Sequence, residues 1–145
     1  MRFEWGLLLR QPYATWVVEG KIPLYLSKFP PPKEVEGKRI VILAGTMSPE
    51  HKQVKGYPIK KAIGTVLVKR IIRNVNMDSL RKGKIPEVSP DALSKYPMHF
   101  VRSVTKINVV IFAEPDKWEQ ALDYRREKPT INWAKDVEVL EVSSS

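Results

Sequence analysis

Cysteine is absent from this chain of 145 residues. Its absence excludes disulfides, thiolate catalysis and zinc sites that are built from cysteine. Histidine is scarce as well, since the chain contains only His51 and His99, and no HExxH or HxE pattern surrounds either. The sequence also lacks a GxSxG nucleophile motif and a glycine-rich phosphate loop. We therefore predict no bound metal, no cofactor and no catalytic residues of these familiar kinds.

Long apolar runs are missing near the N-terminus. The run at residues 7–9 follows Glu4 closely and is far too short for a signal peptide or a membrane span. We therefore expect a soluble, cytoplasmic protein with no membrane partner, and a monomer is the expected state. A chain of this length can bury a sufficient core as one domain, which we place at residues 1–142 with a frayed tail at residues 143–145.

Acidic residues are scarce in one segment, residues 52–84, which we call the basic segment. It holds ten lysines and arginines against the single acid Asp78, while the remaining fifteen basic and fifteen acidic residues cancel. The whole net charge of +9 therefore lies there. Such asymmetry is typical of a surface that binds a polyanion, although a solvated lysine-rich loop is the alternative. Because Lys69, Arg70 and Arg73 end a predicted strand, we favour the binding surface.

Short apolar and β-branched runs dominate the rest of the chain. They predict strands at residues 7–9, 39–45, 62–72 and 105–113 and a further strand between Gly20 and the proline turn, with Gly64 as a bulge or bend; residues 130–133 and 137–142 can be closing strands. Helices are predicted at residues 12–19, 90–96 and 115–126, and a mobile loop at residues 74–88. Since strands and helices do not alternate regularly, we predict an α+β fold, a small mixed β-barrel of five or six strands with two or three short helices.

The first predicted helix has clear boundary signals. Pro12 suits the first helical position, which makes Gln11 the predicted N-cap, and Gly20 suits the C-terminal stop. Tyr13 and Trp16 belong to one apolar stripe, in which we expect Trp16 to lie in the core. The ends of this helix bring together the polar side chains of Arg10, Gln11, Tyr13 and Lys21.

Three stretches carry a resemblance to a known family. The segment RQPYATWVVEG, the following PPP turn with GKRIVILAG, and AIGTVLVKRI resemble the ASCH domain of the PUA-like superfamily. The similarity covers the N-terminal half best, and it implies the PUA-like fold. Some ASCH-like proteins are amidohydrolases that act on acylated cytidines, and others are reported as ribonucleases. Their pockets are associated with a Gly-x-Lys-x-x-Glu-x-Arg pattern just after the first helix.

This pattern is degenerate in the present sequence. Ile22 stands at the position of the lysine, Tyr25 at that of the glutamate and Ser27 at that of the arginine. Lys21 is displaced by one position, which on a strand would turn its side chain to the opposite face. Without these groups the acid–base chemistry of a hydrolase is lost, so we lean towards a protein that is not an enzyme.

We therefore predict a non-catalytic domain that binds RNA or single-stranded nucleic acid. Aromatic rings would stack on bases and basic side chains would contact phosphates. The candidate binding residues are Arg10, Gln11, Tyr13, Lys21, Tyr25, Lys28, Lys60, Lys61, Lys69, Arg70, Arg73 and Trp133. For Tyr13 and Tyr25, packing is an open alternative. Two other functions also stay open: a small ASCH-type hydrolase that uses Lys21 or a nearby hydroxyl, and an adaptor in transcription or translation complexes.

Overall fold

The computed structural model describes residues 1–95, 105–126 and 132–141. These ranges contain the strands β1 (Arg2–Gln11), β2 (Leu24–Ser27), β3 (Arg39–Met47), β4 (Lys61–Asn76), β5 (Lys106–Leu122), β6 (Tyr124–Arg125) and β7 (Trp133–Val139). They also contain the helices α1 (Tyr13–Val18), α2 (Met77–Arg81) and α3 (Pro90–Ser94), and 3-10 turns at Lys33–Val35 and Pro49–His51. None of the helices in these ranges has the length and apolar character needed to cross a membrane.

The strands form one seven-stranded sheet in the order β2-β5-β4-β3-β1-β7-β6. β1 and β3 are parallel, and all other neighbouring pairs are antiparallel. An α+β fold with three short helices matches the sequence prediction, whereas five or six strands was too few. Because β2 and β6 are the two ends of the described sheet, the predicted closed barrel is not observed in this part of the chain.

The most continuous apolar run of the sequence forms β3. Ile40 and Ile42 belong to the main core, which also receives α1, while Val41 and Leu43 belong to a second apolar cluster on the other face. Both faces of β3 are therefore buried, and a strand buried on both faces needs no polar alternation.

Gly64 is the bend that the sequence predicted within β4. Register shifts flank it in the pairing with both β3 and β5. A Cβ atom at this position would overlap the carbonyl oxygen of Asp116 and come within 3.0 Å of Val18 Cγ1. Only glycine allows this close approach of β4, β5 and α1.

The helix predicted at residues 115–126 is wrong, because β5 continues to Leu122 and β6 follows it. Trp118 and Leu122 pack against the second apolar cluster. Their spacing of four fits one face of a helix, but four is also a multiple of the strand period of two. Pairing with β4 decides in favour of the strand over the helix. The pairs run from Thr65 opposite Asp116 to Ala62 opposite Leu122.

The mobile loop predicted at residues 74–88 is also wrong in part. β4 extends to Asn76, whose side chain accepts a hydrogen bond from the Asp78 amide at 2.8 Å and begins α2. Buried Met77 and Leu80 hold α2 against the core. The next helix, α3, begins at the predicted residue Pro90 with Ser89 as its N-cap, and its predicted end at residue 96 lies outside the described residues.

Of the two closing strands predicted for the C-terminus, the described residues contain one, β7 at Trp133–Val139. It covers the last residue of the first predicted strand, the first three residues of the second, and residues 134–136 between them. Residues 130, 131 and 142, and the predicted tail at residues 143–145, lie outside the described part of the chain.

Candidate functional site

A cavity of about 780 Å³ lies where β1, α1, β2 and the end of β3 meet, and we call it the tyrosine cavity. Its apolar lining comes from Leu8, Leu9, Val17 and Leu26, and its polar lining from Arg10, Tyr13, Tyr25, Thr46, Ser48, Glu50 and Asn132. Since β1 and β3 run parallel, their C-terminal ends carry Arg10 and Thr46 to the same edge of the sheet. The volume falls in the range of about 300–1000 Å³ that is usual for ligand sites.

Gln11 connects structural elements around the tyrosine cavity by hydrogen bonds, but it does not itself line the cavity. Its side chain is fully buried, its Oε1 accepts a hydrogen bond from the Thr15 amide at 3.0 Å, and its Nε2 donates to the Pro58 carbonyl at 2.7 Å. Helix α1 begins one residue later than predicted, with Pro12 at the cap position, but the Gln11 side chain supplies the capping bond. Both polar groups of Gln11 are engaged, so its place in the site is structural.

Tyr25 projects from β2 into the cavity and is held from two sides. Its ring meets Trp133 edge-on, with 6.3 Å between ring centroids, and its hydroxyl accepts a hydrogen bond from Asn132 Nδ2 at 2.9 Å. Burial raises the pKa of Tyr25 above its ordinary value, although hydrogen bonds with Asn132 and Ser27 act in the opposite direction. The hydroxyl therefore stays protonated throughout the physiological range.

Trp133, a candidate for base stacking, lies behind Tyr25 and is only 4% exposed. It belongs to the main core and is not among the residues that line the cavity. Its contribution is to support the Tyr25 ring, which leaves the two tyrosines as the aromatic side chains that face the cavity.

Tyr13 lies at the start of α1 within an aromatic group. Its ring packs edge-on against Trp16 at 5.7 Å and against His51 at 5.8 Å between centroids. Burial and the nearby charge of Glu50 raise the pKa of Tyr13, while a hydrogen bond with Ser48 lowers it. Tyr13 therefore also remains a neutral phenol at physiological pH.

Residues 48–51 lie beside Tyr13, and Ser48, Pro49 and Glu50 among them line the tyrosine cavity. Ser48 Oγ and His51 Nδ1 are 2.8 Å apart, and the backbone amide of His51 donates to the Ser48 carbonyl at 3.0 Å. The sequence reading missed Thr46, Ser48, Glu50 and Asn132 as cavity residues. The Ser-Pro-Glu-His order is a helix-start signal that could have drawn attention to residues 48–51, whereas Asn132 reaches Tyr25 across 107 positions and left no local signal.

Arg10 is exposed at the edge of the cavity, but Lys21 is not part of it. Lys21 lies in the turn after α1, where its amide bonds to the Trp16 carbonyl and its Nζ lies 3.2 Å from Glu19 Oε1. Since β2 begins only at Leu24, the argument that Lys21 is reversed on a strand is wrong. Lys28 is exposed just beyond β2 and likewise does not line the cavity.

The three positions of the degenerate family pattern have distinct surroundings. Ile22 is fully buried in the main core, and Ser27 is buried with its hydroxyl donating to the Phe29 carbonyl at 2.6 Å. Tyr25 alone of the three lines the cavity. Packing therefore occupies two of the positions at which the family pattern has charged groups.

The basic segment begins before β4, runs along the whole strand and ends after it, so its charges are spread over a long distance. Lys60 and Lys61 lie where β4 begins, and Lys61 forms an ion pair with Asp123. A second set, which we call the β4 basic group, is Lys69, Arg70 and Arg73. β4 separates Lys61 from Arg73 by twelve positions, which span up to about 40 Å in an extended strand.

Two members of the β4 basic group already have partners. Arg70 makes a two-point contact with Glu87, at 2.8 and 3.0 Å, and Arg73 Nη2 donates to the Pro31 carbonyl at 3.0 Å. The Arg70 hydrogen bonds are the main reason that the pKa of Glu87 lies below its ordinary value. Glu87 follows the basic segment in sequence, so the charge count did not include it.

Sheet register nevertheless brings the β4 basic group near the tyrosine cavity. Tyr25 pairs with Val110 on β5, and Val110 pairs with Ile71 on β4. Two strand spacings, about 10 Å, therefore separate the backbone of Tyr25 from the stretch of β4 that carries Arg70 and Arg73. At the other end of β4, Lys61 pairs with Ala44 of β3, next to the cavity residue Gly45.

Comparisons with known proteins support the fold. No family model matches the chain, and no curated protein matches it. Among solved structures, the chain is similar to ASCH from Zymomonas mobilis, with a TM-score of 0.59 and 15% identity over 82% of this chain and 72% of that one. Two single-substitution variants of that protein give TM-scores of 0.59 and 0.57 at 16% and 15% identity, again over 82% of this chain and over 74% and 72% of theirs. The chain therefore has an ASCH-like fold, as its motifs indicated.

Proposed function

We propose that this protein binds single-stranded nucleic acid, with RNA as the expected ligand, through the tyrosine cavity and without chemistry of its own. The observation that carries the proposal is the convergence of Arg10, Tyr13 and Tyr25 on one cavity. An aromatic surface for a base beside a cation for a phosphate is the combination that binding of unpaired nucleotides requires.

The two tyrosines are suited to hold an unstacked base. Stacking on a ring contributes on the order of 1–3 kcal/mol per base, and it requires a ring that is already positioned. Tyr25 meets this requirement, since Trp133 and Asn132 hold its ring and hydroxyl. Thr46 and Asn132 add uncharged polar groups that can hydrogen-bond to a base edge or to the ribose 2′-hydroxyl.

Phosphates on either side of the bound base would meet basic side chains. Arg10 lies at the cavity edge, and the β4 basic group lies about two strand spacings from Tyr25. Within that group Lys69 is exposed, whereas Arg70 would have to exchange its contact with Glu87. We therefore expect Arg10 and Lys69 to contribute more to phosphate binding than Arg70.

Fluorescence anisotropy with labelled single-stranded RNA and DNA, at two salt concentrations, tests this proposal. Arg10→Gln is expected to weaken binding and to reduce the salt dependence by about one phosphate contact. Lys33→Gln is the matched control, because it removes one positive charge from an exposed residue that does not line the cavity. Lys33 lies in the 3-10 turn Lys33–Val35. Absence of binding at low salt, or equal effects of the two variants, would contradict the proposal.

A small hydrolase is the second candidate, and the Ser48–His51 pair favours it. A hydroxyl within 2.8 Å of an imidazole is the arrangement that activates a serine nucleophile, and Ser48 lines the tyrosine cavity. Incubation with an acylated cytidine and with RNA, analysed by chromatography, tests this function. Turnover that disappears in Ser48→Ala would support it over binding alone, and no turnover by the unmodified protein would dismiss it.

A further inference from the structure

A second cavity, of about 230 Å³, lies at the opposite end of β1 from Arg10. Five charged side chains line it, and we call it the arginine cavity. They are Arg2 from β1, Arg125 and Arg126 from β6 and the residue after it, and Asp136 and Glu138 from β7. Among the described residues, no aromatic side chain belongs to this lining, so the cavity differs in kind from the tyrosine cavity.

Sheet register explains why these charges meet. Glu138 of β7 pairs with Arg2 on one side and with Arg125 on the other. Residues directly opposite one another on antiparallel strands project from the same face. Glu138 therefore lies between two arginines, and Arg2 Nη2 approaches its carboxylate to 3.5 Å.

The remaining charges of the arginine cavity do not neutralise one another directly. Among the described residues, no carboxylate lies within ion-pair distance of Arg125 or Arg126, although Asp136 lines the same space. In an ordinary cross-strand ladder of salt bridges, each of these arginines would lie within ion-pair distance of a carboxylate on the neighbouring strand. Two guanidinium groups instead face a gap that is large enough for a small oxyanion.

Arg126 supplies the second observation. Its Nη1 atom is buried and has no hydrogen-bond partner in the described part of the chain. Buried N–H groups of native proteins nearly always have a partner, and an exception is explained by a water or an ion that completes the site, by strain or by a catalytic role. On a permanently charged guanidinium, the natural partner is an anion.

We propose that the arginine cavity binds a phosphate group, in the form of a singly charged phosphodiester. Guanidinium groups match the oxygen geometry of phosphate, and Arg125 and Arg126 each have donors for it. The five lining side chains carry a formal charge of +1, which a phosphodiester cancels and a doubly charged phosphomonoester exceeds. Asp136 and Glu138 thereby select against the dianion. The phosphodiester can be a small molecule or one unit of a nucleic-acid backbone.

The site is independent of the tyrosine cavity. Asn132 and Glu138 are separated by six positions of the chain around β7, about 20 Å in extended backbone. Within the part of the chain that the structure describes, the two cavities share no lining residue. Arg10→Gln should therefore leave the arginine cavity unchanged, and failure of one proposal does not imply failure of the other.

The test is an NMR titration of the arginine Nε–Hε signals of the full chain with dimethyl phosphate and with inorganic phosphate, at constant ionic strength. Dimethyl phosphate should cause a saturable shift at Arg126 and bind more tightly than inorganic phosphate. Arg125→Gln, at an exposed residue, should weaken this binding about tenfold, in line with loss of a charge-assisted hydrogen bond. Lys52→Gln removes the same charge from another exposed residue and should have no effect.

A carboxylate variant and an oligonucleotide complete the experiment. Asp136→Asn should tighten the binding of inorganic phosphate more than that of dimethyl phosphate, because it removes the charge that opposes the dianion. Displacement of dimethyl phosphate by single-stranded RNA would identify the ligand as a backbone phosphate, and its retention would identify a small phosphodiester. Shifts that do not saturate, or that Lys52→Gln weakens as much as Arg125→Gln, would overturn the proposal.

Discussion

The tyrosine cavity and the β4 basic group differ in how their polar groups are used. In the cavity, Tyr13, Tyr25 and Arg10 border a space that a ligand can enter. In the β4 basic group, Arg70 and Arg73 already donate to Glu87 and to the Pro31 carbonyl. Charge that is dense along the sequence is therefore not the same as charge that is available to a ligand. The predictions below test this difference, from the largest expected effect to the smallest.

Gly64→Ala should damage both regions at once, because β4 carries the β4 basic group and supports the cavity wall. The added Cβ would overlap the Asp116 carbonyl, so β4 and β5 would have to separate. We expect a loss of about 3 kcal/mol or more in the free energy of unfolding, at the upper end of overpacking effects. Urea denaturation measures it.

Gly45→Ala is the control for this variant. A Cβ at Gly45 would meet the Leu9 carbonyl at 3.4 Å, and Gly45 has no positive φ, so the substitution should cost little. Equal losses of stability in the two variants would contradict the assignment of Gly64 as the obligatory bend.

Tyr25→Ala should abolish most of the binding that the cavity provides. Loss of the stacking ring is expected to weaken RNA binding about tenfold or more. Tyr25→Phe keeps the ring and loses only the hydrogen bonds of the hydroxyl with Asn132 and Ser27, so a much smaller decrease is expected. Anisotropy titrations of the three proteins measure both effects, after circular dichroism has verified the fold. RNA affinity that survives Tyr25→Ala would rule out the cavity as the binding site.

Arg10→Gln and Arg70→Gln compare the two regions directly, since each removes one guanidinium charge. The Arg10 variant should lose about tenfold in RNA affinity, because a charge-assisted hydrogen bond contributes about 1.5 kcal/mol at the low end of its range. The Arg70 variant should lose less, since Glu87 already opposes that charge. Glu87→Gln should release Arg70 and raise the affinity. A larger effect of Arg70→Gln than of Arg10→Gln would reverse the ranking of the two regions.

The smallest expected effect is the pH dependence of the Arg70–Glu87 pair. Because the pKa of Glu87 is lowered in the folded state, the pair stabilises the protein above the ordinary glutamate pKa of about 4.3. This contribution is lost as the pH falls through the lower, folded-state pKa. Both side chains are partly exposed, so it should stay below about 1 kcal/mol. Urea denaturation of the unmodified protein and Glu87→Gln should give curves that converge in acid; a constant difference would exclude the pair as the cause.

Local signals explain the parts of the fold that could be predicted. Pro12 and Gly20 frame α1, Ser89 begins α3, and the uninterrupted apolar run of β3 indicates burial on both faces, because each of these preferences acts within a few residues. The spacing of Trp118, Ala121, Leu122 and Arg125 predicts one face of a helix at residues 115–126, but Trp118 and Leu122 also fit the strand period of two. Only the pairing partner on β4, 51 to 60 positions away in the chain, distinguishes the two structures.

The residues of the candidate site likewise fall into those that local sequence could predict and those that it could not. Arg10, Tyr13 and Tyr25 were predicted from a motif that keeps them within sixteen positions of one another. Asn132 and the partner role of Glu87 were not predictable, because hydrogen bonds across a sheet depend on strand register and not on sequence spacing.

The sequence by itself determined the strand-rich composition of the chain, the position of its first helix, its excess of positive charge and its resemblance to the ASCH domain. Tertiary structure alone decided that seven strands form one sheet, that Trp133 supports Tyr25 from the core, and that Arg70 is paired whereas Arg10 borders the cavity. The physical reason is that secondary structure follows local backbone and side-chain preferences. A binding site instead needs side chains whose hydrogen-bonding groups and ring faces converge on one space. Strands that are distant in the chain bring such side chains together.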